Sequence, residues 1–179
     1  MRDGTLCFLV RGDPPDLVLL GLKKRGFGAG KWGGFGGKID PGETPVSCAV
    51  RELEEESGVI ADERDLCHVA ELYFDFPSCQ EWSQLVHVYV CARWIGEPAE
   101  SSEMVPGWFS CQDLPLRQMW DDCSYWLPRI LAGERFSAHF TYGSDNEGVV
   151  RVKEDSLRER ACDRVAEAAS DRSLRAEDV

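Results

Sequence analysis

The sequence predicts an α/β domain, because strand-like runs and helical patterns alternate along the chain. Apolar, β-branched and aromatic residues form six such runs, each bounded by turn residues. One helical pattern separates the second run from the third, and another precedes the fifth. This alternation favours the α/β class. The predicted strands are 6–10, 17–22, 68–76, 85–95, 136–142 and 149–152; one helix covers 45–57 and a second begins within 113–131.

The second strand-like run leads into a glycine-rich stretch, residues 26–38 (GFGAGKWGGFGGK). Glycine allows the backbone to approach a ligand closely and to turn its N–H groups towards an anion. Phe27, Trp32 and Phe35 are interleaved with these glycines, whereas flexible linkers seldom carry aromatic residues. We therefore interpret this stretch as a ligand-binding loop rather than as a linker.

The helical pattern at 45–57 has a clear start and a clear end. Pro45 suits a first helical turn, Thr44 can cap that turn, and Gly58 supplies the stop. Apolar residues recur at spacings of three and four and predict one buried face. These residues are Val46, Ala49, Val50 and Leu53.

Three carboxylates crowd another face of the same helix. Glu52, Glu55 and Glu56 stand at positions i, i+3 and i+4 near the C-terminal end, where the helix dipole disfavours negative charge. One interpretation is a solvated acidic face. The other is a divalent cation site, because hard oxygen ligands suit Mg²⁺ or Mn²⁺. Glycine, glutamate and arginine residues at fixed offsets around the three carboxylates favour the cation site.

Residues 37–59 (GKIDPGETPVSCAVRELEEESGV) resemble the Nudix box, G-x5-E-x7-R-E-U-x-E-E-x-G-U with U aliphatic, and match it at every specified position. The resemblance implies an α/β/α sandwich with a mixed sheet and a Nudix loop–helix–loop. It also implies hydrolysis of a nucleoside diphosphate linked to another group, with Mg²⁺ as cofactor and Mn²⁺ as the alternative ion. By this resemblance Glu52, Glu55 and Glu56 bind the metal. One of the three also helps to activate water, and Glu56 is the first candidate for this role. The residues assigned to structural roles are Gly37, Glu43, Arg51 and Gly58.

Much of the chain from about residue 5 to residue 160 also resembles one branch of this family, the animal-type oxidised purine nucleoside triphosphatases. The matching segments outside the box are 19–38, the strands around LYFDF and VHVYV, 100–109 and 119–128. This resemblance implies hydrolysis of 8-oxo-dGTP and 2-hydroxy-dATP to monophosphate and pyrophosphate, which removes damaged nucleotides before they enter DNA. The alternatives are hydrolysis of another nucleoside diphosphate derivative by the same machinery, and a nucleotide-binding module without catalysis.

The same resemblance assigns further site residues position by position. At the metal site, Gly36 offers its backbone carbonyl to the ion. Glu100 is a carboxylate from outside the helix that binds the metal or activates water. The catalytic candidates are therefore Glu56, Glu52 and Glu100. The substrate-binding residues it assigns are Lys23, Phe27, Phe35, Gly36, Gly37, Lys38, Phe74, Trp120, Asp121 and Asp122. Among them, Trp120 stacks on the purine and the acidic pair that follows it reads the base edge.

The sequence departs from the pattern of this branch at the end that reads the base. Its base-reading asparagine falls at Gly33, and a threonine on the first strand falls at Phe8. Its two adjacent carboxylates align without a gap to Asp122 and Cys123, so one carboxylate is replaced by a thiol; a shift of one residue restores the pair as Asp121 and Asp122. The residues of the catalytic end are all retained, and those that select the base are altered.

Charge and cysteine usage limit the partners and the compartment. A net charge of −12 disfavours nucleic-acid polymers and anionic membranes, and no apolar run is as long as a membrane span. The eight cysteines are scattered without C-x-x-C spacing, and only three histidines are present, which argues against a zinc site. We read the cysteines as reduced thiols of a cytoplasmic protein, with the nucleus or mitochondria as further locations. His87 is read as an ordinary sheet residue, and the protein as a monomer without a signal peptide.

The chain divides by composition into two parts. Residues 1–153 carry all the motifs described above and form the predicted Nudix domain. Residues 154–179 are rich in Glu, Asp, Arg and Ala, with a thin apolar stripe at helical spacing. We predict that this tail is partly helical or disordered.

Overall fold

One eight-stranded mixed sheet organises the computed structural model, which describes residues 2–155. The strands are β1 (Arg2–Arg11), β2 (Leu17–Lys23), β3 (Trp32–Gly33), β4 (Leu66–Asp75), β5 (Gln84–Cys91), β6 (Met104–Ser110), β7 (Phe136–Tyr142) and β8 (Val149–Asp155). The helices are α1 (Pro45–Ser57) and α2 (Cys123–Leu131). The strand order is β3-β2-β1-β5-β4-β7-β8, with β6 also paired to β2. The β1–β5 and β4–β7 pairs are parallel and the others antiparallel.

The two α-helices cover opposite faces of the sheet, as alternation along β1 requires. Phe8 points into the core on the α2 side, which includes Trp126 and Leu127 of that helix. Its neighbours Cys7 and Leu9 point into the core on the α1 side, which includes Leu53. This arrangement is the predicted α/β/α sandwich with a mixed sheet.

The ends of α1 follow the sequence prediction. Thr44 Oγ1 accepts a hydrogen bond from the Ser47 backbone N–H at 3.2 Å, and the Thr44 N–H donates to Ser47 Oγ at 3.0 Å. Gly58 ends the helix with a left-handed φ of 74° and donates to the Glu54 carbonyl. Both ends of the helix are therefore fixed by local chemistry, which sets the positions of the carboxylates between them.

β6 was not predicted. It covers Met104–Ser110, a segment that is not among the six strands predicted from the sequence. Pro106 and Gly107 interrupt the β-type pattern, and a proline is tolerated here because β6 pairs only with β2 and is an edge strand. The predicted strand 85–95 ends earlier, at Cys91, and the first strand starts earlier, at Arg2.

Strands β1 and β2 separate along part of their length, and this separation leaves the space for the cavities described below. The two strands pair only between Leu9–Arg11 and Leu17–Leu19. Nearer the start of β1, the end of the glycine-rich loop takes the place of β2, with bridges from Phe35 to Cys7 and from Lys38 to Gly4. A Cβ on Gly36 would lie 2.0 Å from the Thr5 carbonyl oxygen, so only glycine allows this approach. The loop is thereby fixed beside the first strand.

Two further predictions concern membranes and thiols. No helix among residues 2–155 is long and apolar enough to cross a membrane. Cys7, Cys48, Cys79, Cys91, Cys111 and Cys123 are free thiols. Cys162 and most of the predicted tail lie outside the described residues.

Candidate active site

The three box carboxylates line one cleft of about 480 Å³, which we call the acidic cleft. Glu52, Glu55 and Glu56 project from the last turns of α1. The opposite wall comes from the end of β2, the glycine-rich loop and the residues just before β6. Its residues are Lys23, Gly36, Gly37, Lys38, Ser102 and Glu103.

Glu56 is the buried carboxylate of the acidic cleft, with 3% of its surface exposed. Its Oε2 accepts a hydrogen bond from the Gly36 backbone N–H at 2.8 Å, and Lys23 Nζ lies 3.5 Å from its Oε1. Burial raises the pKa of Glu56 to about 7, although these two partners act in the opposite direction. Its ionised form is therefore costly without a nearby cation, and its pKa lies where a general base works best.

Arg51 fastens the loop before α1 to the helix. Its Nε lies 2.9 Å from Glu43 Oε1, and its Nη2 lies 3.0 Å from Glu43 Oε2. Its Nη1 also donates to Glu52 Oε1 at 2.7 Å, which orients that carboxylate, and its Nη2 donates to the Lys38 carbonyl at 3.3 Å. The hydrogen bonds from Arg51 hold the pKa of Glu43 at about 2. This contact network supports the structural roles predicted for Arg51 and Glu43.

Replacing Glu43 with glutamine is expected to remove a stabilising term that depends on pH. A carboxylate whose pKa is lower in the folded state stabilises the fold fully above its unfolded pKa, about 4.5, and loses this effect as pH falls towards about 2. Solvent screens the partly exposed Glu43–Arg51 pair, so we expect the free energy of unfolding to fall by about 1 kcal/mol at pH 7. Urea unfolding at pH 7 and pH 3 measures it; an equal loss at both pH values would contradict a stabilising ion pair.

The donor set of the acidic cleft fits a divalent cation. Three carboxylates converge there and supply hard oxygen ligands of the kind that Mg²⁺ and Mn²⁺ prefer. A Cβ on Gly37 would lie 2.4 Å from Glu52 Oε1, so glycine leaves this carboxylate room beside the loop. A bound cation would also offset the cost of ionising buried Glu56. Gly36 lies beside these carboxylates, as its predicted role requires.

A second cavity of about 630 Å³ adjoins the acidic cleft, and we call it the aromatic cavity. Lys23, Gly36, Gly37, Lys38 and Glu103 line both, so the two are continuous. The volume of the aromatic cavity is in the range of small-molecule sites. Its aromatic lining residues are Phe8, Phe27, Trp32, Phe74, Phe76, Trp82, Trp120, Trp126 and Tyr142.

Trp120 presents a stacking surface within the aromatic cavity. The ring of Phe27 stacks on it with the ring centres 4.9 Å apart and the planes at 24°. Lys31 Nζ lies 4.7 Å from the centre of the same ring. A flat base that uses the face covered by Phe27 must displace that side chain, which is 42% exposed and flanked by glycines with positive φ.

Asp122 is the buried acid of the aromatic cavity, with 4% of its surface exposed. Its Oδ2 accepts from Trp126 Nε1 at 2.6 Å, and its Oδ1 accepts a short hydrogen bond from the Tyr142 hydroxyl. Burial raises the pKa of Asp122, against the effect of these two donors. Cys123 lines the same cavity, whereas Asp121 does not. The pair that faces the cavity is therefore Asp122 and Cys123, the carboxylate and thiol of the gapless alignment.

The structure places three predicted site residues outside both cavities as far as residues 2–155 show. Phe35 is fully buried in the α1-side core, because its bridge to Cys7 turns the ring to the face that Cys7 shares. Asp121 is exposed and accepts from the Val149 N–H at 2.8 Å, which fastens the start of β8. Glu100 pairs with Lys24 and has a side chain that is 62% exposed. These positions correct the predicted substrate contacts of Phe35 and Asp121 and the predicted metal contact of Glu100.

Several cavity residues were missed by sequence reasoning. Glu103 lies where Glu100 was expected, at the entrance to both cavities, with Arg25 Nη2 3.0 Å from its Oε1. Glu103 stands three residues after Glu100 in the sequence. Glu103 directly precedes β6, so its position could not be predicted without that strand. The other missed residues are Lys31, Phe76, Trp82, Trp126 and Tyr142.

Comparison with known proteins agrees with this geometry. The family model described as NUDIX domain matches residues 1–130. The chain is 43% identical over 157 residues to the oxidized purine nucleoside triphosphate hydrolase of Danio rerio, covering 88% of this chain and 98% of that protein. It is 45% identical over 142 residues to the protein of the same name from Mus musculus, covering 79% and 89%. The crystal structure of a mutator MutT protein from Bacillus halodurans superimposes with a TM-score of 0.69 at 22% identity, over 87% of this chain and 98% of that one, and so shows the shared fold.

Proposed function

The chain belongs to the Nudix family of hydrolases, and from this premise we propose its reaction. The protein hydrolyses oxidised purine nucleoside triphosphates, such as 8-oxo-dGTP and 2-hydroxy-dATP. The products are the monophosphate and pyrophosphate. The vertebrate relatives that carry this activity in their names are similar to it over nearly their whole length. Such a reaction removes damaged nucleotides from the pool used for DNA synthesis. We propose that residues 1–153 form the catalytic domain and act as a monomer in the cytoplasm.

The observation that carries this proposal is the continuity of the two cavities. The aromatic cavity offers stacking surfaces for a flat base, and the acidic cleft offers ligands for a cation that binds phosphate oxygens. Lys23, Gly36, Gly37 and Lys38 line both, at the junction where the phosphate chain of a nucleotide would lie. A non-catalytic binding module is disfavoured, because all three box carboxylates are present in the cleft.

The chain's own residues supply binding, orientation and proton transfer. Glu52, Glu55 and Glu56 would hold Mg²⁺, which supplies charge neutralisation for the phosphates and an acidic bound water. Glu56 is the carboxylate we assign as the proton acceptor, and it takes a proton from the attacking water at Oε1 or Oε2. Lys23 balances negative charge that develops on the phosphate chain as the bond to pyrophosphate breaks.

Base selection in this proposal depends on few polar groups. Asp122 is the buried acid, and burial raises its pKa. Its carboxyl can accept a hydrogen bond from a purine edge when ionised and can donate one when protonated. Gly33 brings no side chain to the cavity wall, and Phe8 is fully buried against Trp126, with the ring centres 5.8 Å apart. Trp120 supplies the stacking surface. Stacking on Trp120 therefore supplies affinity for a flat base, and the Asp122 carboxyl is the group that can distinguish one purine edge from another.

The test is product analysis on a nucleotide panel with Mg²⁺. Pyrophosphate and phosphate release are measured for 8-oxo-dGTP, 2-hydroxy-dATP, dGTP and ADP-ribose. We expect pyrophosphate, with kcat/KM for an oxidised purine at least about tenfold above that for dGTP, the value of one well-made buried hydrogen bond. A preference for dGTP or ADP-ribose would overturn the substrate assignment in favour of another nucleoside diphosphate derivative. Absence of release from every nucleotide would overturn the assignment as a hydrolase.

A further inference from the structure

A second cluster of potential metal ligands lies on the sheet, apart from the acidic cleft. His68 and Glu71 belong to β4, and His87 belongs to β5. One ligand atom from each of the three lies within 4.8 Å of the other two. These residues are not among those that line the acidic cleft or the aromatic cavity.

A β-bulge brings the three side chains to the same face. In a regular strand, His68 and Glu71 would point to opposite faces, because they are three residues apart. The register of β4 against β5 shifts between His68 and Ala70, which reverses this alternation. Glu71 then lies directly opposite His87, while His68 lies opposite Tyr89. His68 and His87 face each other with their ring centres 5.7 Å apart.

One atom of the cluster lacks the partner that its burial demands. His68 Nε2 is buried and has no hydrogen-bond partner in the part of the chain described by the structure. A buried polar nitrogen without a partner costs free energy, and a ligand would remove that cost. Burial, followed by the neighbouring His87 ring, lowers the pKa of His68, and burial also lowers the pKa of His87. A neutral imidazole keeps one nitrogen lone pair that can bind a metal.

The spacing and exposure of the cluster suit a small cation. His87 Nδ1 lies 4.0 Å from Glu71 Oε1, and ligand atoms of a tetrahedral zinc site lie about 3.3–3.5 Å apart. The three ligand atoms lie within 4.8 Å of one another, so binding requires the side chains to rotate towards the ion. Glu71 is 36% and His87 16% exposed, so an ion can enter from solvent.

We propose that His68, Glu71 and His87 form a second metal site, which binds a late first-row divalent cation of the zinc class. Two imidazoles and one carboxylate suit such ions, whereas Mg²⁺ prefers oxygen ligands. Three protein ligands leave one position open to water, and the ion bridges β4 and β5. Spacing along the sequence argued against a zinc site, because zinc sites are recognised there by closely spaced ligands. His68, Glu71 and His87 come from two strands, so sequence spacing does not reveal them.

Cobalt serves as the probe, because Co²⁺ occupies zinc sites and absorbs visible light. Metal-free protein is titrated with Co²⁺ in excess Mg²⁺, which keeps the acidic cleft filled. We expect the visible absorbance to saturate at one Co²⁺ per chain in the unaltered protein and in Glu56→Gln. We expect the affinity for Co²⁺ to fall at least about tenfold in His87→Ala and Glu71→Gln. Zn²⁺ is expected to raise the thermal midpoint of the unaltered protein and to leave that of His87→Ala unchanged.

The variants distinguish binding at this site from binding in the acidic cleft. Circular dichroism without metal establishes that His87→Ala and Glu71→Gln are folded, and if His87→Ala does not fold, Glu71→Gln and His68→Gln replace it. Co²⁺ binding that is unchanged in the folded variants would overturn the proposal. So would absorbance that disappears in Glu56→Gln, since the ion would then belong to the acidic cleft. Absence of any Co²⁺ signal in the unaltered protein would overturn it as well.

Discussion

Replacing Glu56 with glutamine is expected to lower kcat for the preferred nucleotide at least about 100-fold, the usual contribution of a positioned general base. Glutamine keeps the shape and one acceptor oxygen, so the hydrogen bond from the Gly36 N–H at 2.8 Å can persist. It removes both the proton acceptor and one negative ligand of the cation. The fold is expected to remain intact, because the buried carboxyl, with a pKa of about 7, is already partly neutral at pH 7.

Glu54→Gln provides the matched control for this change. Glu54 lies in the same helix two residues earlier, is exposed, and is not among the residues of the acidic cleft. Its replacement is expected to leave kcat within about twofold of the original value, since surface substitutions of this kind have small effects. Single-turnover rates of both variants, with circular dichroism to establish folding, make the comparison. Near-normal turnover by folded Glu56→Gln would contradict the assigned role.

Replacing Trp120 with alanine is expected to raise KM for a purine triphosphate about tenfold to 100-fold while kcat changes much less. Stacking of a base on an aromatic side chain contributes about 1–3 kcal/mol. The acidic cleft is made by other elements, so the affinity for Mn²⁺ should stay the same. Steady-state kinetics with the preferred oxidised purine and Mn²⁺ titration measure the two quantities separately.

Two further variants make the stacking test specific. Trp120→Phe keeps an aromatic face and is expected to recover most of the lost affinity. Trp94→Ala removes an equally large ring, which packs against Trp108 and Arg11 and is not a residue of either cavity. It should leave KM unchanged even if stability falls. If KM were the same in Trp120→Ala as in the unaltered protein, the base would bind elsewhere.

Local chemistry explains why α1 was predicted correctly at both ends. Thr44, Pro45 and Gly58 carry their signals within a few residues of the helix ends, and tertiary contacts do not override them. The carboxylate face follows from helical spacing alone. The Nudix box also fixes the offset of Glu43 from Arg51, and the structure joins these two side chains at 2.9 Å.

Sequence reasoning failed where burial and strand pairing decide which way a side chain points. Phe35 and Phe27 are equally plausible binding residues in a glycine-rich loop, yet Phe35 is fully buried in the core and Phe27 is 42% exposed. Asp121 and Asp122 are adjacent, but only Asp122 faces the cavity. The pattern of β6 is hidden by Pro106 and Gly107, and with it the position of Glu103. None of these outcomes depends on residue type alone.

The most direct test of this account is a crystal structure with Mn²⁺ and a non-hydrolysable oxidised purine triphosphate. Anomalous scattering locates the manganese independently of the nucleotide. We expect manganese among Glu52, Glu55 and Glu56, the phosphates beside Lys23, and the base stacked on Trp120. A nucleotide outside the aromatic cavity, or phosphates that do not reach a manganese ion in the acidic cleft, would contradict the claim that the two cavities act as one active site.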